Sequence, residues 1–300
     1  MKFRERLASK AFSVTLEVDP PKGPGIKKAM EKIASLVPYV DAINIAACPV
    51  AQLRMDPLSF ALLLNKEFDI EVILHITMRD MSLLGIQSYL LGASALGYNN
   101  FLVMTGDAAK HSDISGTKGV FQANSIKLLE LMSKKMNLGF NSEGKKMNRK
   151  TKFFLGATAN PSAINLTNEV KKMQKKIIAG ADFFQTQPLF LSKNVGVFHS
   201  YSEGEVLRPV VISTMLLKSY ESSLRLNQSV PGLFVPAPIL DRLKHNDTQE
   251  EALSIATDFW KAAHGALQGI HLFPMNNYEA MLELLQDVRD TLNREKSGNE

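Results

Sequence analysis

The segment SVTLEVDPPKG (13–23) sets one carboxylate, Glu17, among Val14, Leu16 and Val18 and then stops at two prolines. Apolar neighbours push an acid toward its protonated form, which a general acid working near neutral pH requires. The same placement also fits an exposed strand residue or half of a buried ion pair. Other polar groups close other apolar runs: His75, Thr77, Arg79 and Asp80; Thr105, Gly106 and Asp107; Thr158 and Asn160; Gln185, Thr186 and Gln187; Asn276 and Asn277. Taken singly, most have an ordinary explanation. His75 reads as a core histidine, Arg79 and Asp80 as a salt bridge shaping a rim, and Gly106-Asp107 as a turn with an aspartate cap. Gln187 is harder to set aside, because a strand-end amide without partners costs ~1–3 kcal/mol.

Several chemistries are excluded. His75, Asp80 and Asp107 do not have metal-ligand spacing and there is no HExxH, so no metal is expected. There is no GxSxG elbow and no Walker A loop. The single cysteine, Cys48, rules out an internal disulfide and a Cys-based zinc or iron–sulfur site.

The candidates must be positioned by a scaffold. Eight apolar β-type runs, 12–18, 42–46, 71–77, 100–106, 152–159, 182–188, 208–214 and 269–275, alternate with helix-period segments. Near-continuous apolar strands are those of a parallel sheet buried on both faces. The pattern predicts a single-domain (β/α)8 TIM barrel over residues 1–300. A doubly wound sheet is the alternative, but no GxGxxG follows the first strand. The strand interiors read as apolar, with six polar strand ends converging on one rim. Residues 191–205 make a poor helix pattern, 141–152 read as a solvated, mobile charged loop, and 230–249 form a Pro-rich insertion before an additional amphipathic helix.

The net charge is +5, with a pI of about 9.1. This suits an anionic small ligand. No dense basic block with interleaved aromatics appears, so nucleic acid is not expected. No long apolar h-region follows MKFRERLASK and no long apolar run occurs elsewhere, so neither a signal peptide nor a membrane span is expected. One thiol in 300 residues fits a reducing cytoplasm.

EVDPPKG (17–23), HITMRDMSLLGIQSYLLGASALGYNNFLVMTGD (75–107), KKIIAGADFFQTQPLF (175–190) and VPGLFVP (230–236) resemble, in order and spacing, the methylenetetrahydrofolate reductase family. The resemblance runs from about residue 10 to 292. It implies a (β/α)8 barrel, homo-oligomeric, binding FAD. Hydride would pass from NAD(P)H through the flavin to 5,10-methylenetetrahydrofolate, in methionine biosynthesis. By position, Glu17 matches the acid that protonates folate N10 to open the imidazolidine ring. Asp107 matches the aspartate beside flavin and pterin. Gln187 matches a folate-contacting glutamine, and Tyr220 falls where a phenylalanine often stacks on substrate. His75, Thr105, Gly106, Phe121, Glu169, Lys172, Lys175 and Lys176 fall at or near flavin-contacting positions. Ala46, Thr105, Lys172 and Asn277 depart from residues common in the family. The resemblance leaves room for an electron-transfer or methyltransferase partner. It also leaves two other readings, a folate- or corrinoid-linked methyltransferase and a non-catalytic folate-binding subunit.

Overall fold

Eight parallel strands pair in chain order and close into a barrel: β1 (Ser13–Val18), β2 (Ala42–Ile45), β3 (Glu71–Thr77), β4 (Asn100–Met104), β5 (Phe154–Ala159), β6 (Phe183–Pro188), β7 (Val210–Met215) and β8 (Gly269–Phe273). The computed structural model describes residues 1–230 and 232–297, so Pro231 of the VPGLFVP motif lies outside the described residues. Every predicted strand is present, β3 with its predicted bounds and the others shifted by one or two residues at one or both ends. Among the described residues no helix is long and apolar enough to cross a membrane.

Alternation along each strand divides the side chains. Val14, Leu16 and Val18 of β1 join the large core beneath the surrounding helices. Ala42, Ile73, Leu102, Phe154, Phe183 and Val211 point into the barrel instead, at its N-terminal end. That end is closed by α1 (Phe3–Ala8), which buries Phe3 and Leu7 against them. Phe3 meets Phe154 and Phe183 edge-on, with centroids 6.2 and 5.3 Å apart. Gly156, inward on β5, leaves room for this cluster. A Cβ there would fall 2.4 Å from the Phe183 ring.

The outer helices that matter for the site are α2 (Lys27–Ala34), α3 (Pro57–Glu67), α4 (Leu83–Ala95), α5 (Ser125–Lys134), α6 (Leu166–Ala179), α7 (Ser192–Ser202) and α8 (Tyr220–Ser229). Asn165 caps α6 by accepting the Asn168 N–H, and Gly180 ends it in the left-handed region, as its sequence signals predict. The weak segment 191–205 does form a helix, α7. Two of its apolar residues, Val195 and Phe198, are buried in the large core, and that narrow stripe suffices because α6 and the helix Gln249–Ala263 pack beside it. The charged loop 141–152 is tied down rather than free. Ser142 N–H donates to Gln87 Oε1 at 2.9 Å, and Phe140 pairs with Lys146. The Pro-rich stretch leads into two helices, Ala237–His245 and Gln249–Ala263.

Candidate active site

The inward positions above the apolar plug are not apolar, which corrects the expectation for the strand interiors. Thr15 and Glu17 on β1, Asn44 on β2, His75 on β3, Gln185 on β6, Ser213 on β7 and His271 on β8 are all buried. Three of them meet at one point. Glu17 Oε2 lies 3.2 Å from His271 Nε2 and 3.5 Å from His75 Nε2. Asn44 Nδ2 donates to Gln185 Oε1 at 2.9 Å and sits 3.0 Å from His75 Nε2. Thr15 Oγ1 is 2.9 Å from His271 Nδ1.

Glu17 is 8% exposed, and among the described residues no Lys or Arg pairs with it. Burial, and secondarily the charge of Asp19, raises its pKa well above the usual carboxylate range. Burial pushes His75 down to about 3 and His271 well below its ordinary value. Both imidazoles are therefore neutral near pH 7, and burial biases the Glu17 carboxyl toward its protonated form. What exposure Glu17 has faces a cavity of about 90 Å³ at the C-terminal mouth, shared with Asp19, Met275, Asn276 and Tyr278. The last three also line an adjoining cavity of about 550 Å³ that Lys32 and Lys218 border.

Asp107 follows β4 at the same mouth. Its Oδ2 accepts the Val50 N–H at 2.8 Å. Val50 has φ +53°, a left-handed backbone unusual for a β-branched residue, and Cys48 and Ala51 flank it at positive φ. Arg79, 1% exposed, braces this loop. Its Nη2 donates to Cys48 O at 2.9 Å and to Asp80 Oδ2 at 2.6 Å, the rim salt bridge the sequence suggested. Thr105 Oγ1 contacts Ser125 at the start of α5. Gly106 turns with φ +94° against Thr77, and Phe121 is 40% exposed beside it, its N–H on Met78 O.

Gln187, near the end of β6, is half-buried beside Gly232. Gly232 has φ +84°, and a Cβ there would lie 3.2 Å from Asn160 Nδ2, so the chain passes closely over this wall. Beyond it a cavity of about 600 Å³ is lined by Asn160, Asn168, Lys171, Lys172, Lys175 and Phe234, among others. Two of the grouped residues do not line it. Lys176 turns inward and donates to Thr158 O, where burial lowers its pKa. Glu169 is buried, accepting Asn160 N–H at 2.9 Å and lying 3.4 Å from Lys172 Nζ. Tyr220 begins α8, packed against the small core beneath residues 233–243.

Sequence reading thus found Glu17 and His75 but not their partners Thr15, Asn44 and His271. The signal was available. Once Glu17 is assigned inward, strand alternation and pairing place Asn44 opposite it, Thr15 two residues below, and His271 opposite Thr15. Among the described residues no group of three His, Cys, Asp or Glu side chains could hold a metal ion.

A family model described as methylenetetrahydrofolate reductase matches residues 2–289. No curated protein matches the chain. Among solved structures, an uncharacterized protein from Clostridium thermocellum that binds two copies of 5-methyl-5,6,7,8-tetrahydrofolic acid aligns with TM-score 0.67 at 14% identity, over 96% of this chain and 99% of that one. A 2,3-dimethylmalate lyase aligns with TM-score 0.50 at 12% identity, over 97% and 86%. At such identities these likenesses speak for the fold alone.

Proposed function

The chain belongs to the methylenetetrahydrofolate reductase family, and on that premise we propose that it reduces 5,10-methylenetetrahydrofolate to 5-methyltetrahydrofolate, with FAD as hydride carrier and NAD(P)H as donor. The observation that carries this reading is Glu17, a carboxyl that burial biases toward its protonated form, with no cation near it among the described residues, at the inner end of an accessible mouth. The methylene carbon of the substrate becomes electrophilic only when its five-membered ring opens, and opening requires a proton on N10. Glu17 gives that proton. Asp107, its charge directed by the Val50 N–H, opposes the positive charge that then develops. Gln187 and Tyr220 hold the folate at the wall formed by β6 and α8. The folate-binding neighbour from Clostridium thermocellum is consistent with the substrate class.

The residues present fit FAD in part. Lys172 and Lys175 border a cavity large enough for an anionic group, and Gly232 keeps its wall open. Those lysines would hold the diphosphate, with Thr105, Gly106 and Phe121 nearer the mouth. Lys176 and Glu169, both committed to the β5 turn, hold the wall in shape. Bound there, FAD would supply the hydride step.

The test is spectroscopic. Purified protein supplied with FAD should gain thermal stability, as linkage requires of a native-state ligand. Its absorbance near ~450 nm should bleach with a reduced nicotinamide and recover with 5,10-methylenetetrahydrofolate. A colourless protein stabilised by 5-methyltetrahydrofolate but not by FAD would overturn the reductase reading in favour of folate binding or methyl transfer.

A further inference from the structure

We propose that Thr15 and Asn44 fix the tautomers of His271 and His75, so that Glu17 faces two bare imine nitrogens and keeps its proton until substrate takes it. The hydrogen-bond directions lead to this. An amide nitrogen only donates, so Asn44 Nδ2, 3.0 Å from His75 Nε2, needs a lone pair there. Asn44 is itself oriented by Gln185 Oε1 at 2.9 Å. His75 therefore carries its hydrogen on Nδ1. On the other side, the Thr15 hydroxyl lies 3.5 Å from Ile270 O, which can only accept, and 2.9 Å from His271 Nδ1, which can do either. With the hydroxyl hydrogen assigned to Ile270 O, Thr15 turns a lone pair to His271 Nδ1, and His271 also carries its hydrogen on Nδ1.

Both Nε2 atoms then present lone pairs to Glu17 Oε2, at 3.2 and 3.5 Å. Glu17 Oε2 and His271 Nε2 are both buried without a hydrogen-bond partner among the described residues. One proton on Oε2, donated to His271 Nε2, satisfies both atoms at once. An ionised Oε2 would instead face two lone pairs in a buried site. The acid is thus held protonated by neutral groups, without a like charge pressed against it. The remaining titratable neighbours are Asp19 and Tyr278 across the small cavity, with Arg54 and Lys218 acting on Asp19. When Glu17 protonates a substrate nitrogen, its O–H bond breaks, the electron pair stays on oxygen and the N–H bond forms. The carboxylate left behind faces the two lone pairs and is driven to recover a proton.

Thr15 and Asn44 touch neither substrate nor cofactor; they are positioning residues. The catalytic sense of the inference rests on the reading of Glu17 as the acid, but the proton placement does not. The test is therefore run on protein alone. Nitrogen NMR of ring-labelled histidine reads both tautomers, and the isotope-edited carboxyl stretch reads the protonation of Glu17. Wild-type protein should show Nδ1–H on both rings and a protonated Glu17 at neutral pH. Thr15→Val keeps the shape and frees His271 to move its hydrogen to Nε2, which favours the carboxylate. Glu17 should then ionise about one pH unit lower, the equivalent of one net hydrogen bond. Thr15→Ser should restore the wild-type titration. If Thr15→Val does not fold, Thr15→Ala takes its place. An Nε2–H tautomer on either ring in wild-type protein would overturn the inference. So would a Glu17 titration that ignores the loss of the hydroxyl, or one that serine fails to restore. These readouts use neither folate nor flavin, so they stand if the reductase reading fails. Conversely, a working reductase with an ionised Glu17 at rest would keep the reaction and remove this inference.

Discussion

Two carboxylates flank β1 at opposite ends of the barrel. Asp41 at the N-terminal end and Glu17 at the C-terminal end have almost equally buried side chains, 11% and 10% exposed. Asp41 lies 3.1 Å from Arg6 and 3.0 Å from Arg289, and its Oδ2 accepts the Val14 N–H at 2.8 Å. Glu17 has two neutral imidazoles and no cation. Burial alone therefore does not decide what a carboxylate does here; its partners do. A charge-paired acid at the plugged end fastens α1, β1 and the C-terminal helix (Tyr278–Ser297) together, whereas at the open end an acid with no cation partner among the described residues is biased toward its protonated form.

Exchanging each acid for its amide should separate these roles most sharply. Glu17→Gln keeps size and hydrogen bonding but cannot give up a proton. Folate-driven reoxidation of the flavin should fall at least ~10²-fold, while reduction by nicotinamide stays within a few-fold. Stopped-flow absorbance follows each half-reaction. Asp41→Asn should leave the ratio of the two rates unchanged and lower stability by ~1–3 kcal/mol, the scale of hydrogen bonds to a charged group in a partly solvated site. Equal slowing of both half-reactions by Glu17→Gln would make Glu17 a structural carboxylate like Asp41.

The pH dependence of stability offers a second, smaller effect. The pKa of Glu17 is raised on folding from 4.5, so above that value the native chain holds a proton that the unfolded chain has released. That contribution is fully present below pH 4.5 and is lost as pH rises, until Glu17 ionises in the native state. The two histidines run the other way. His75 falls from 6.5 to about 3 and His271 is also lowered, so their contribution is present above pH 6.5 and lost as pH falls. From these three groups, stability should rise with pH up to about 6.5, since two histidines outweigh one acid below it. Glu17→Gln removes only the acid's share. Its stability should gain on wild type by about 1.4 kcal/mol per pH unit above pH 4.5, and level off where native Glu17 ionises. Denaturant titrations of both proteins across pH measure this. A constant difference would mean that Glu17 is ionised in the folded protein.

The fold was readable because its signal repeats. Each strand is a short apolar run, and eight of them alternating with helices leave few architectures. The exception, α7, shows the limit: with Val195 and Phe198 as its main buried contacts, its pattern in isolation resembles a loop. The site was readable only in part for a related reason. Glu17 stands out as a charge among valines and leucines, whereas Asn44 in AINIA and His271 in GIHLFPM are single polar residues in strands otherwise taken as core. Their meaning comes from closure, which brings β2, β3 and β8 around one point. Linear spacing does not carry that, because Glu17 and His271 are 254 residues apart. The strained loop at Val50 was invisible for another reason: nothing in CPVAQL marks a left-handed valine, a conformation imposed by Arg79 and Asp107 from outside.

That loop gives the smallest expected effect, and it sharpens the contrast between the two ends of the barrel. The plugged end has an apolar interior and, among the described residues, one non-glycine residue at positive φ, Lys10. The open end keeps Cys48, Val50 and Ala51 at positive φ. A β-branched residue in the left-handed region is strained by ~1–2 kcal/mol. Val50→Gly removes that strain and retains the N–H that Asp107 accepts. Glycine also makes the unfolded chain more flexible, which offsets part of the gain. A net stabilisation of about 0.5–1 kcal/mol is expected. The same freedom loosens the grip on Asp107, so folate-driven reoxidation should slow a few-fold while reduction by nicotinamide does not. Thermal melts and the two half-reactions, measured on one preparation, decide it. A stabilised variant with both rates unchanged would make the strain incidental to the position of Asp107. A destabilised one would mean that the valine side chain, packed at the rim, contributes more than its backbone costs.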